Sequence, residues 1–365
     1  MKNLHHYLEK LEKILDPDHL RKSRELQKRA FAFQPVDHLP TAIDFPVAQE
    51  EWPTFRFDEF IADRQKMLLN ELRPIYLSAL IKDDRLTGIR ANFGTGIIAS
   101  LFGCEIRTFD HALPIALPLG QAAIEGLLQR GVPSFQQPAW LQIEETVAFY
   151  QQALQPYPLL SQEIGYQMFD IQGPFDNASI IWGSDIYLAF YDQPEKICDL
   201  MQLVTLTIAE AVKRQRLVDG RALVEHDGAW NYLGGVCVRN DSTVNLSGTA
   251  YGKWVREFDA QLLQPWGGWI HFCGRAHQWW KELLTLPGLR GINPYQGEYY
   301  DLLEMHETCA AHGIALVQWT VPIAADYRDR IRTGFSRICQ VKNRDAALFA
   351  VEQLHRTGHV DPLPE

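Results

Sequence analysis

The chain contains no run of about 18 uncharged apolar residues, so no transmembrane helix is expected. Cysteine is scarce, with six in 365 residues, widely scattered as Cys104, Cys198, Cys237, Cys273, Cys309 and Cys339. The opening Met-Lys-Asn-Leu-His-His lacks the apolar core of a secretion signal. Together these absences predict a reducing, cytoplasmic setting without a disulfide framework. A cationic excess is missing too: 35 Lys and Arg stand against 45 Asp and Glu, a net charge of −10. The densest basic stretch, Arg328, Arg330, Arg332, Arg337, Lys342 and Arg344, is interleaved with Asp326, Asp329 and Asp345. Neither nucleic acid nor an anionic membrane is therefore expected as a partner. Also absent are a Gly-rich dinucleotide fingerprint and a P-loop.

What is present is a chain able to bury a large core, 46% hydrophobic and 22% charged. Two short amphipathic helices are predicted over Leu4 to Leu15 and Asp18 to Phe33, broken by Asp16-Pro17. Beyond them, short apolar strands alternate with helices. Strands are predicted at Thr41 to Phe45, Ile89 to Phe93, Tyr166 to Gln172, Ala222 to Asp227, Trp269 to Cys273, Leu289 to Asn293, Ile314 to Trp319 and Ser336 to Val341. Helices are predicted at Ala276 to Leu284 and Ala325 to Thr333, among others. This alternation implies a parallel sheet covered by helices. Eight units in this length predict a (β/α)8 TIM barrel over residues 37–365, with residues 1–36 as an amino-terminal helical extension. Chemistry then belongs at the carboxyl ends of the strands. There the sequence offers Asp227, His271, Cys273, Asn293, Tyr295, Gln318, Trp319, Cys339 and Gln340, with Asp241 among the residues at or just beyond a strand end.

One stretch stands out, Gly267-Gly-Trp-Ile-His271-Phe-Cys273-Gly274. Residues i and i+2 of a strand point the same way, so His271 and Cys273 would present an imidazole and a thiol side by side. That is half of a zinc site. The same pattern fits a hydrogen-bonded core histidine beside a small buried thiol. Asp227 and Asp241 are candidates to orient a ligating histidine or to contact a ligand, and equally to cap local turns. The tryptophans Trp266, Trp269, Trp279, Trp280 and Trp319 suit a flat ligand or simple core packing.

Several segments together resemble the uroporphyrinogen decarboxylase superfamily: Asn92-Phe-Gly-Thr-Gly-Ile, Phe102-Gly103, Gly173-Pro-Phe, Asp192-Gln-Pro-Glu195, and Asp241 followed by Leu246-Ser247, Tyr251, Trp254 and Phe258. The His-x-Cys-Gly element is similar to the corrinoid-dependent methyltransferases of that superfamily, of the coenzyme M type, rather than to its decarboxylases. The resemblance covers most of residues 20–355 and implies the barrel fold. It also implies zinc held by His271, Cys273 and a cysteine of the last strand, for which Cys339 is the match, although the usual Pro-Gly-Cys turn is missing there. The arginine-containing amino-terminal signature of true uroporphyrinogen decarboxylases has no counterpart in residues 29–40.

The implied activity is transfer of a methyl group from a methylcorrinoid, carried by a separate corrinoid protein, to a small thiol. Superfamily members often pair, so a homodimer is one expected assembly. Two other readings stay open at the level of sequence. One is a metal-independent carboxy-lyase using Asp227 or Asp241, and the other a non-catalytic corrinoid or tetrapyrrole binder.

Overall fold

A computed structural model describes residues 3–109, 114–219 and 233–360. The expected strand Ala222 to Asp227, and Asp227 with it, lie outside the described residues. Helices Leu4–Ile14 and Pro17–Phe31 open the chain, each started by a side chain that accepts otherwise unpaired N–H groups. Asn3 takes the His6 N–H at 3.1 Å, and Asp16 takes those of Asp18 and His19, with Pro17 preset for the first turn. Their apolar faces, including Tyr7, Leu8, Leu11 and Leu20, join the main core.

Among the described residues ten strands follow: β1 Thr41–Asp44, β2 Gly88–Ile89, β3 Ile106–Arg107, β4 Ile115–Ala116, β5 Gly165–Tyr166, β6 Val236–Arg239, β7 Gly268–Phe272, β8 Leu289–Pro294, β9 Ala315–Trp319 and β10 Phe335–Gln340. Six form a parallel sheet in the order β1-β10-β9-β8-β7-β6. β2 and β5 form a parallel pair, and β3 and β4 an antiparallel one. The β2–β5 pair is tied to both edges of the large sheet. Gln172, just beyond β5, bridges Arg239 of β6 in parallel register, and the Asp84 N–H, just before β2, donates to the Thr41 carbonyl of β1 at 3.1 Å.

Alternation divides the sheet into two buried faces. Val236, Val238, Ile270, Phe272, Ile292 and Leu316 pack into the main core with the helices. The intervening residues Cys237, Trp269, Ala315 and Val317 form a separate apolar cluster with Leu233, against which Phe31 packs. Gly291 belongs to this second face, since a Cβ there would lie 3.4 Å from that of Trp269. Continuing its row by two residues reaches Arg239, His271 and Asn293, which are direct register partners on β6, β7 and β8. The apolar cluster is thus the floor on which the polar residues stand.

Three departures from the sequence reading have physical causes. β6 lies in a stretch read as loop; only its first three residues, Val-Cys-Val, are apolar, and it pairs because Gly235 and Gly268 let two backbones meet. A Cβ on Gly268, at φ +146°, would sit 2.0 Å from the Val236 oxygen. The helix expected over Ala276 to Leu284 is reduced to a 3₁₀ segment, Trp280–Thr285. There the Ala276 N–H goes to the Tyr300 hydroxyl at 2.7 Å and Trp279 stacks on Tyr251 at 4.7 Å, so tertiary contacts override the helical pattern. Of the helix expected over Ala325 to Thr333 only the turn Ala325–Tyr327 forms, because the run of Asp326, Arg328, Asp329, Arg330 and Arg332 leaves little apolar face to bury. No helix among the described residues is long and apolar enough to cross a membrane.

Candidate metal centre

β7 delivers His271 to the end of the polar row, and the chain leaves it through Cys273 and Gly274, whose φ of +86° makes the turn. Asp241 arrives from the neighbouring strand, two residues beyond β6. The three side chains converge. His271 Nε2 lies 3.5 Å from Cys273 Sγ and 3.6 Å from Asp241 Oδ1, and the donor atoms of all three are within 4.8 Å of one another.

These separations can be tested against a metal. Four ligands placed tetrahedrally at about 2.0–2.3 Å from zinc are about 3.3–3.8 Å apart. The two measured distances fall in that range. The donor set, one imidazole nitrogen, one sulfur and one carboxylate oxygen, is a zinc set, and three protein ligands leave a fourth position for substrate. Once ionised, the thiol and carboxylate supply two negative charges against a dication.

The tautomer of His271 can be deduced. Asn293 is 1% exposed, and its Nδ2 lies 2.8 Å from the Val317 carbonyl, which only accepts. The amide oxygen must therefore face His271 Nδ1, 2.6 Å away, and Nδ1 carries the donated proton. The lone pair of the neutral ring is on Nε2, which faces Cys273 and Asp241. An outer acceptor that fixes the ring in this way is the usual support of a metal-bound histidine. Replacing Asn293 by Leu, of similar size, removes that acceptor. Zinc affinity is expected to fall about 10–100-fold, read by competition with a chromophoric chelator.

Burial dominates the electrostatics of His271 and Cys273. Burial pushes the Cys273 thiol up to about 12, and the Asp241 charge adds to the shift. Burial, opposed by Asp241 and reinforced by Arg239, lowers His271 below the ordinary histidine value. Without a cation the thiol keeps its proton and the ring is neutral. Two more carboxyls lie close behind. Burial, with a contribution from Asp241, drives Asp176 well above the carboxylate range, and burial raises Asp259 to about 7. Asp259 accepts from Asn240 Nδ2 at 2.6 Å and from the Tyr251 hydroxyl at 2.7 Å.

The Cys273 turn is braced from two sides. Its N–H donates to Asp241 Oδ1 at 2.8 Å, and the Gly274 N–H donates to Gln296 Oε1 at 2.6 Å. Tyr300 spans the turn, donating to the Gly274 carbonyl and accepting from Ala276. Two cavities are lined by neighbours of the trio, though by none of its three members. One, of about 290 Å³, is lined by Glu71, Arg85, Arg90, Gln167 and Arg239 among others; Arg90 and Arg239 both pair with Asp170, at 3.0 and 2.7 Å. The other, of about 400 Å³, includes Tyr295, Gln296, Thr320, Cys339 and Gln340, and the Tyr295 ring lies 5.8 Å from that of His271.

The structure brings Asp241, His271, Cys273 and Asn293 into one cluster, with Tyr295, 55% exposed, at its rim. It places three other candidates elsewhere. Trp319 is 2% exposed, and its ring fills the space where Gly297 would carry a Cβ. Gln318 adopts φ +56° at the irregularity between β9 and β10, its N–H donating to Ser336. Cys339 is 2% exposed and packs, like Phe335 four residues earlier, in the main core, on the face opposite to Trp269 and His271. Sequence reasoning did not single out Asp176, Asn240, Asp259 or Gln296. Asn240 and Gln296 follow strand ends, whereas Asp176 and Asp259 lie on helices and carried no signal.

No family model matches the chain, and no curated protein sequence matches it. Among solved structures, the chain is similar to a methyltransferase from Methanosarcina mazei, with a TM-score of 0.63 and 13% sequence identity over 92% of this chain and 98% of that one. At that identity the likeness is one of fold: an α/β architecture around a parallel sheet, matched along nearly the whole length of both chains.

Proposed function

We propose that this protein is a zinc-dependent methyltransferase that moves a methyl group from a methylcorrinoid, carried by a partner protein, to a small thiol. The observation that carries the reading is the tripod of Asp241, His271 and Cys273 at zinc-like spacing, with Asn293 fixing Nε2 of the histidine as the free donor. The resemblance of His-x-Cys-Gly to the coenzyme M type methyltransferases and the methyltransferase named among similar folds support the same reaction class. The fold reading follows with it. β1, β2, β5, β6, β7, β8, β9 and β10 make an eight-stranded closed barrel, supported by the Gln172–Arg239 bridge and the Asp84 to Thr41 hydrogen bond.

In this reading Asp241, His271 and Cys273 hold the metal and leave one position open. Zinc there supplies affinity for a thiol sulfur and favours loss of its proton. The protein's residues do the positioning. Asn293 sets the ring, while Gln296 and Tyr300 hold the turn that presents Cys273. Tyr295 at the rim is the side chain best placed to touch an incoming substrate or the flat corrin. A thiol held there would form a sulfur–carbon bond to the donor's methyl group in place of the carbon–cobalt bond, whose electron pair would stay with the corrinoid, and the thiol proton would pass to solvent. Holding sulfur in line with the methyl group is where most of the acceleration arises.

The test is to incubate the zinc-loaded protein with methylcobalamin and a panel of small thiols, following cobalamin absorbance and thioether by mass spectrometry. Thioether that depends on both protein and zinc is expected. Zinc-loaded protein that yields none from any thiol would leave a metal-binding protein and sink the methyl-transfer reading.

A further inference from the structure

We propose that Asp176 is the positioning residue of the metal centre, acting through Asp241; this rests on the tripod reading above. Asp176 lies in the first turn of the helix Pro174–Trp182 and is 1% exposed. Both its carboxylate oxygens are 3.0 Å from the Ser242 nitrogen, whose N–H they share. The backbone immediately after Asp241 is thus held by one buried side chain.

The contacts around it point the same way. Ser179 donates from its hydroxyl to the Asp176 carbonyl and lies 3.2 Å from the Ser242 hydroxyl, and the Tyr187 hydroxyl donates to the Ser242 carbonyl at 3.0 Å. The turn 241–242 is therefore clamped from the helix side, which leaves the Asp241 carboxylate directed at the Cys273 N–H and at His271. Among the described residues Asp176 forms no ion pair with Lys, Arg or His. A helix-capping carboxylate needs only its own helix for company and gains by exposure to water. This one is buried and spends both oxygens on the backbone of the turn that carries Asp241.

The experiment measures zinc affinity by chelator competition, the visible spectrum of the cobalt(II)-substituted protein, and the urea midpoint of metal-free protein. It uses wild type, Asp176→Asn and the smaller Asp176→Ser, each also in an Asp241→Ala background. Asp176→Asn is expected to weaken zinc about 10–100-fold and to shift the cobalt bands, with the metal-free midpoint unchanged or raised. In the Asp241→Ala background the same change should alter affinity less than about twofold, since its intermediary is gone. Asp176→Ser carries the test if the Asn variant does not fold. Wild-type affinity and spectrum in a folded variant, or an undiminished effect without Asp241, overturns the proposal while leaving the tripod standing. A wild type that takes up no zinc removes the tripod reading and this proposal together.

Discussion

His271→Ala and Cys273→Ala are each expected to lower zinc affinity by more than the about 10–100-fold typical of an outer partner such as Asn293, and to abolish thioether formation. Each removes one of three donors that lie within 4.8 Å of one another, and the two remaining donors hold zinc far more weakly against water and buffer. The fold should survive, because a chain of 365 residues has a core independent of the metal. Circular dichroism and elemental analysis of the same preparations check both halves. Cys339→Ala is the informative contrast. Its side chain packs in the main core, on the opposite face of the sheet from His271, so the variant should keep its zinc. Loss of zinc there, with retention in Cys273→Ala, would show that the centre is built differently.

The second large effect is expected from a residue with no side chain. Gly268→Ala places a Cβ 2.0 Å from the Val236 oxygen and 2.7 Å from its nitrogen, backbone atoms that cannot swing away, at a φ of +146°. Backbone strain and the forced separation each contribute on the order of 1–3 kcal/mol, so a loss of about 2–6 kcal/mol is expected in urea unfolding. The change also reaches the metal. Relief requires β6 and β7 to move apart, and these strands carry Asp241 and His271 respectively, so residual folded protein should bind zinc more weakly. A folded variant of wild-type stability would mean that the two strands start further apart than described.

Some of this could be read from the residues and some could not, for definite reasons. His271 and Cys273 stand two apart in an apolar run, and period-two geometry is local, so their pairing was visible. Which carboxylate joins them depends on how β6 sits against β7. Ala222 to Asp227 is the longer apolar run and drew the strand assignment; Val236–Arg239 is four residues between glycines and a polar turn, and it pairs by virtue of close backbone contact. Cys339 shows the limit of parity. A cysteine near the end of the last strand can face either way, and only the register with β9, irregular beside Gln318, settles that it joins Phe335 in the outer core. The alternation of strands and helices was legible because each short apolar run is bounded by turn residues. The segments around Trp279 and Asp329 were misread because their periodicity is outweighed by aromatic stacking in one and by lack of an apolar face in the other.

The polar row of Arg239, His271 and Asn293 lies on three adjacent strands, with Asp241 and Cys273 immediately beyond two of them. The trio therefore comes from one stretch of chain, from β6 to β8, rather than from strands spread across the sheet. A bound metal then acts as a clasp on a single cooperative unit. Amide hydrogens of β6 and β7 would exchange more slowly when it is present, while those of β1 and β2 would keep their own rhythm, so that occupancy is written into the local opening of one part of the molecule.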